Sequence, residues 1–368
     1  MKIYTTLFGI HIALKNYNKI NTRWIYDKPA LLQQAYNWET QLPWIKPYYA
    51  VKSNPLPYLI NDLTNYNSFN IGLDVSSLKE TDLALKYTRL TNTIYTNPHT
   101  IPHEMTKNCK FHMKVVDSIC ELELLHEKNI KCPILIRLNS DVNIATINFD
   151  SKFGATRLEA YDIINLAIEY KYDIKGVSFH IGSGGKYPRK FAFQHAYNHA
   201  IPVLKYIQMF TKEQLILNVG GGFLYNTDLI DALGWTKKLP YIVISEPGRY
   251  FSEPSHHLAI QVIAKTPKGI FLDNGVYHEL NCFHRDHWTM PSLTHLIQNE
   301  ETSVIQDYKP SLIFGPTCDS YDTLGTQDIP TNLEVGDWIL LPNMGAYTNA
   351  GVVDFNGIKG ASSNQNND

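Results

Sequence analysis

The sequence predicts a (β/α)8 barrel followed by a β-rich domain, and three observations carry that reading. Eight short apolar runs rich in β-branched and aromatic residues recur at 48–52, 70–75, 93–97, 110–117, 134–139, 176–181, 215–219 and 241–245. Helix-like windows fill the gaps between them, and strands that alternate with helices point to a parallel sheet covered by helices. After about residue 255 the spacing changes to closely set strands separated by turn signals. Strand counting alone leaves an open doubly wound sheet as the alternative to a closed barrel.

The elements follow in order. The first barrel strand lies in "IKPYYAVKSNP" and ends on Lys52, where Ser53-Asn54-Pro55 breaks it. In "SSLKETDLALKY", Ser77 and Glu80 have the spacing of a capping box, which opens a helix. In "LEAYDIINLAIEYKY" the apolar residues recur at helical spacing. The barrel is read as residues 25–255 and the β-rich domain as 256–368. That domain contains "HHLAIQVIAKTPKGIFLDNGVY", "PSLIFG" and "GDWILLPNMGAYT", with a short helix expected at "MPSLTHLIQ". The opening run, "MKIYTTLFGIHIALKN", carries His11 and has no small-x-small cleavage site, so it reads as a strand rather than a signal peptide. Because a closed barrel has no place for a ninth strand, residues 1–24 are expected to join the β-rich domain. The tail "GASSNQNND" is polar and expected to fray.

Composition narrows the function. Hydrophobic residues make up 44% and charged residues 18%, a globular balance, and the formal charge of −2 offers no basic excess for nucleic acid or an anionic membrane. Five cysteines, an odd number without C-x-x-C spacing, argue against a disulfide framework or a metal site and favour a reducing, cytoplasmic setting. No segment approaches the roughly 18 apolar residues of a membrane span. A small-molecule substrate is expected.

In a barrel, chemistry gathers at the C-terminal ends of the strands. Here those ends are Lys52, Asp74, Arg137, His180 followed by "IGSGG", the turn "NVGGGF", and "SEPGRYF". A lone lysine at a sheet edge most often snorkels to water, and a lone glycine triplet is most often a turn. Six of eight strands ending this way on one face are hard to explain by packing. Gly220-Gly221-Gly222 and Gly248-Arg249 allow close backbone approach to a phosphate, yet neither is a Walker loop or a dinucleotide turn. A monophosphate cofactor fits. A nucleophilic lysine, a phosphate cradle and the carboxylate Glu246 together suit pyridoxal 5'-phosphate, whose pyridine nitrogen a carboxylate keeps protonated.

The motif series "YYAVKSNP", "LDVSSLKE", "SFHIGSG", "VGGGF", "SEPGRYF", "FGPTCDSYD" and "NMGAYT" resembles that of the eukaryotic-type ornithine decarboxylases. These are the alanine-racemase-like (fold type III) pyridoxal phosphate decarboxylases of basic amino acids. The resemblance implies that Lys52 is the Schiff-base lysine, that His180 stacks on the cofactor ring, and that Glu246 pairs with the pyridinium nitrogen. It implies that Ser183, Gly221, Gly222, Gly248, Arg249 and Tyr347 hold the phosphate, with Asp74, Glu80 and Arg137 around lysine and ring. Cys318 and Asp319 would reach across a homodimer interface into the partner's site, and Lys152 and Asp322 would contribute to that interface. Asn218 departs from the family, which usually has aspartate before the glycine triplet.

The same resemblance implies decarboxylation of L-ornithine to putrescine, with Cys318 returning a proton to Cα. Asp286 and Asp319 would compensate the substrate's distal ammonium, and Tyr277 and Phe355 would line its pocket. Arg285 beside Asp286 is unusual. Arginine or lysine decarboxylation on the same scaffold is the alternative. A further alternative is a non-catalytic regulator resembling the antizyme inhibitors, which the intact Lys, His, Glu and Cys set disfavours.

Overall fold

Eight parallel strands close on themselves in the unit Leu32–Phe251: Lys46–Ala50, Gly72–Val75, Thr93–Tyr95, Lys114–Val116, Ile134–Arg137, Ile174–Ser178, Ile216–Asn218 and Ile242–Ser245. The computed structural model describes residues 1–16, 23–67, 69–106, 109–142, 149–183 and 188–362. The eighth strand closes the barrel against the first, with Ile244 opposite Lys46 and Ser245 opposite Pro47. All eight predicted runs overlap a barrel strand, the first and sixth strands beginning two residues earlier than predicted, so the closed barrel holds and the open sheet falls. Tyr48, Ile94, Val115, Leu135 and Ile244 pack as one buried cluster.

The helices start where their caps allow. Thr156 and Glu159 form a complete capping box at the head of Arg157–Glu169. Ser77 caps Leu78–Ala84 by accepting from Glu80 N, but the Glu80 carboxylate turns to Ser76 N at 2.7 Å instead of closing the box. The capping signal therefore marked the helix start and also fixed a carboxylate just beyond the second strand.

The other unit, Met1–Leu31 with Ser252–Asp368, is built on a nine-stranded sheet. Lys2–Thr5 runs inside it, antiparallel to His295–Gln298 and parallel to Trp338–Leu341. The N-terminal strand thus belongs to the β-rich sheet, as expected. Two details differ from the sequence reading. The strand stops at Thr5, and Leu7–Asn16 is a helix, because Ile12 must join Ile3, Ile25, Ala259 and Leu340 in one buried cluster with Ile10 against it. "MPSLTHLIQ" forms no helix: its last four residues pair with Lys2–Thr5, and Thr294 N donates to Thr5 O. Pairing with a waiting edge outweighs local propensity there.

The first residues of the predicted tail also differ. Glu279, fully buried, accepts from Ala361 N, Ser362 N and Ser362 Oγ at 2.7–3.1 Å, so the chain is anchored through Ser362. Residues 363–368 lie outside the described residues. Among the described residues no helix is long and apolar enough to cross a membrane.

One buried ion pair ties a barrel strand to its helix. Lys114, in the fourth strand, has a fully buried side chain whose Nζ lies 2.7 Å from Glu121 Oε1 on Ile119–Glu127. It also donates to Thr100 Oγ1 and Asn97 O, and lies over the Tyr95 ring. Breaking such a pair leaves a buried charge and costs about 3–5 kcal/mol. Lys114→Met is therefore expected to lower the unfolding free energy measured by urea titration by that order, with a lower midpoint, and Lys114→Met/Glu121→Gln to recover more than half of the loss. Equal midpoints for wild type and Lys114→Met would contradict this.

Candidate active site

The polar residues predicted at the strand ends do gather at one mouth of the barrel. Lys52 lies two residues past the first strand, in the 3-10 turn Val51–Ser53, which Asn54 N closes on Val51 O. Its side chain is 43% exposed, not sunk among its apolar neighbours as their run suggests. The Nζ opens on a cavity of about 400 Å3 lined by Ser76, Thr96, His99, Arg137, Phe149 and Phe153, among others. It faces Asp74 Oδ2 at 3.8 Å, while Thr96 Oγ1 donates to Asp74 Oδ1 at 2.5 Å. Asp74 is buried, which raises its pKa against the opposing pull of Lys52, Thr96 and Arg137. Glu80 is also raised by burial.

Glu246 follows the eighth strand and is buried. Burial, with the Asp74 charge nearby, pushes its carboxyl up to about 7 against Lys52, Arg137 and the Asn218 amide. Asn218, at the end of the seventh strand and wholly buried, accepts from Gly220 N at 2.9 Å and donates to Glu246 Oε1 at 2.5 Å. This explains the departure noted in the sequence. The amide can donate to the carboxylate at a place where an ionised aspartate would repel it.

His180 sits past the sixth strand, and its ring is kept neutral by burial and by the cations Arg137 and Lys52. Gly182 N donates to His180 Nδ1 at 3.0 Å, which leaves the proton on Nε2. Phe149 meets the ring edge-on at 4.8 Å. Arg137 lies over the Phe153 ring at 4.9 Å.

The glycine turns abut. Glu246 N and Ser245 Oγ both donate to Gly220 O, which binds the turn after the seventh strand to the one after the eighth. A Cβ at Gly221 would stand 2.7 Å from His180 Nε2. At Gly222, with φ +113°, a Cβ would stand 2.6 Å from Ile181 Cγ1. Gly248 and Arg249 continue the second turn, and Arg249–Ser252 is a short helix. Ser183 is in place beyond His180, whereas Gly184 and Gly185 lie outside the described residues.

The remaining candidates belong to the β-rich unit. Tyr277 OH donates to Asp319 Oδ2, which raises the phenol to about 12 and lowers the carboxyl. Phe355 stacks on Tyr277, with ring centroids 4.3 Å apart. Cys318, an exposed free thiol, has its N and Sγ against Asn356 Oδ1 at 3.1 and 3.2 Å. Asp286 follows the short helix Cys282–Arg285, where His284 stacks on Tyr321 of the Cys318 segment at 4.6 Å. Tyr347 adopts a left-handed backbone, φ +58°. Asp322 is buried and accepts from Val276 N, Thr317 N and Thr317 Oγ1 within its own unit.

Residues 29–253 match the family model described as "Pyridoxal-dependent decarboxylase, pyridoxal binding domain". The chain belongs to that family. Within it, the chain is 31% identical to the ornithine decarboxylase of Schizosaccharomyces pombe, over 91% of this chain and 81% of that protein. Among solved structures it is similar to lysine/ornithine decarboxylase complexed with putrescine from Vibrio vulnificus, with TM-score 0.78 and 26% identity over 96% of this chain and 97% of that one. It also shares its fold with the arginine decarboxylase of Paramecium bursaria Chlorella virus, with TM-score 0.84 and 23% identity over 95% and 98% of the two chains.

The family's cofactor is pyridoxal phosphate, and the residues present fit it. A reachable amine at Lys52, a buried carboxyl at Glu246, a neutral ring at His180 and a cradle that admits no Cβ at Gly221 and Gly222 make a site for an aromatic cation bearing phosphate. Sequence reasoning missed Thr96, the His99–Asp117 pair at 3.2 Å on the cavity rim, and Asn356. Thr96 had a signal, since it lies in the last two residues of the third predicted run, 93–97. His99 and Asn356 had none.

The sign of a pH effect follows from Glu246. Its folded pKa near 7 lies above the ordinary 4.5, so the cofactor-free protein binds that proton more tightly than the unfolded chain. The stabilisation from protonated Glu246 is full below about 4.5 and is lost as pH rises through about 7. Glu246→Gln removes the titration. At about 1.36 kcal/mol per pKa unit, the stability of cofactor-free Glu246→Gln relative to wild type should rise by about 2–3 kcal/mol between pH 5 and pH 8. Denaturant midpoints at the two pH values check this, and parallel shifts for both proteins would contradict it.

Proposed function

We propose that this chain decarboxylates a basic amino acid, with L-ornithine preferred, releasing CO2 and putrescine as a step of polyamine synthesis. The reaction breaks the Cα–carboxylate bond, and a proton takes the carboxylate's place on Cα. The bound cofactor supplies the electron sink for the pair left on Cα. In this reading the barrel, residues 25–255, holds the cofactor. Lys52 anchors it, Glu246 holds a proton at the pyridine nitrogen, His180 packs on the ring, and Asp74, Glu80 and Arg137 set the charge around them. Ser183, Gly221, Gly222, Gly248, Arg249 and Tyr347 hold the phosphate.

The β-rich domain, residues 256–368 with 1–24, would supply the substrate end. Cys318 carries the proton destined for Cα. Asp319 and Asp286 offer carboxylates to the distal ammonium, and Tyr277 and Phe355 form an aromatic wall. A homodimer in which one protomer lends Cys318 and Asp319 to its partner's Lys52 completes the reading, and a cytoplasmic setting suits its free thiols. The observation that carries the substrate assignment is the Tyr277–Asp319 hydrogen bond beside Cys318, which holds a carboxylate ionised where a cationic side chain needs one.

The test is a decarboxylation assay with ornithine, lysine and arginine side by side, on wild type and Asp286→Asn. Wild type should favour ornithine. Leaving a buried ammonium without one of its partners costs up to about 3–5 kcal/mol, relieved in part by Asp319. At tenfold per 1.36 kcal/mol, kcat/KM for ornithine should fall by about one to three decades while the cofactor absorbance stays unchanged. Preference for arginine or lysine, or full ornithine turnover by Asp286→Asn, would overturn the ornithine assignment.

A further inference from the structure

The segment Phe355–Ser362 is held down by a dense set of hydrogen bonds. Glu279 is wholly buried, and its carboxylate accepts from Asn274 Nδ2, Ala361 N, Ser362 N and Ser362 Oγ. Gly360 presses on it so closely that a Cβ would stand 2.8 Å from Glu279 Oε1. One residue earlier, His278 Nε2 lies 3.1 Å from Ile358 O, and Val353 N donates to Tyr277 O. A buried carboxylate that gathers hydrogen bonds from one strap of chain fixes that strap far better than surface packing can.

The strap carries two side chains to one place. Phe355 lies flat on Tyr277, and the next residue, Asn356, turns through φ +56°. Asparagine tolerates that left-handed conformation better than most residues. The turn brings Asn356 Oδ1 to the Cys318 backbone N–H at 3.1 Å and to the Cys318 thiol at 3.2 Å. Because an amide oxygen can only accept, the thiol must be the donor. Its S–H direction is set by Asn356, and the backbone N–H bond keeps the amide from rotating away.

We propose that Asn356 is the positioning residue for Cys318, orienting its thiol as a hydrogen-bond donor, and that Glu279 acts as the anchor that keeps Asn356 there. The proposal rests on the reading of Cys318 as the donor of the proton to Cα. It adds the acceptor that aims that proton and the clamp that holds the acceptor.

The experiment is alkylation of the cofactor-free protein by iodoacetamide at pH 7.5, with the rate at Cys318 read by peptide mass spectrometry, so that the other cysteines do not confuse it. Thermal melts establish that each variant is folded. Asn356→Ala removes the acceptor and should speed alkylation at Cys318 about three- to tenfold. Asn356→Asp keeps the shape and the acceptor but adds a negative charge that disfavours the thiolate, so it should slow alkylation by a similar factor. Glu279→Gln loosens the anchor and should act in the direction of Asn356→Ala. A purely structural role would move both Asn356 variants the same way. The proposal is overturned if Asn356→Ala and Asn356→Asp shift the rate alike, or if neither shifts it. It is also overturned if Glu279→Gln leaves the rate at its wild-type value. Turnover of Cys318→Ala separates the two layers: full kcat there, with the alkylation order as expected, sinks the proton-donor reading and leaves the positioning intact.

Discussion

The barrel mouth depends on keeping two buried carboxylates, Asp74 and Glu246, within one small volume. Like charges so placed cannot both ionise cheaply, and burial alone favours their neutral forms. The structure answers with Lys52 and Arg137 as counter-charges, Thr96 donating to Asp74, and Asn218 donating to Glu246. What remains is a carboxyl poised near neutrality that ionises readily when a cation arrives beside it. A protonated pyridine ring is such a cation. The neutral His180 follows from burial first, and from the same field second, since Arg137 and Lys52 disfavour a further positive charge.

The fold serves this arrangement by placing each group at the end of a different strand. Lys52, Asp74, Arg137, Asn218 and Glu246 come from the first, second, fifth, seventh and eighth strands or the turns just after them. Parallel strands share one C-terminal face, so residues far apart in sequence meet without long connections. The β-rich unit works differently. There the candidate groups hang on loops, and hydrogen bonds donated to buried acids stiffen those loops. Asp322 ties the Thr317 and Val276 backbones together, and Glu279 ties down the strap that ends at Ser362.

Much of this was legible in the sequence, and for physical reasons. Short apolar runs rich in β-branched and aromatic residues, and glycine turns, report backbone constraints directly, so the eight strands and the polar residues near their ends could be read from them. Groups whose meaning lies in a tertiary partner could not. The role of Asn218 depends on a carboxylate 28 positions away, and that of Asn356 on a thiol 38 positions away. Lys114 sits in an apolar run that gives no sign of its partner, yet it is the centre of a buried ion pair with Glu121. The N-terminal helix was misread because the burial of Ile12 in a tertiary cluster decides it, and the strand His295–Gln298 because pairing with Lys2–Thr5 decides it, rather than local preference. Lys52 lies two residues past the strand it was read as ending, and the apolarity of its neighbours says nothing about the cavity its side chain enters.

The central claim is that the amine at the end of the first strand, and no other, anchors the cofactor. Borohydride reduction of the pyridoxal phosphate-loaded protein, followed by peptide mapping, tests it most directly. The account predicts one pyridoxyl group per chain, on Lys52. Lys152 lines the same cavity and is the natural rival. Label on Lys152 or any other lysine, with Lys52 unmodified, would contradict the account.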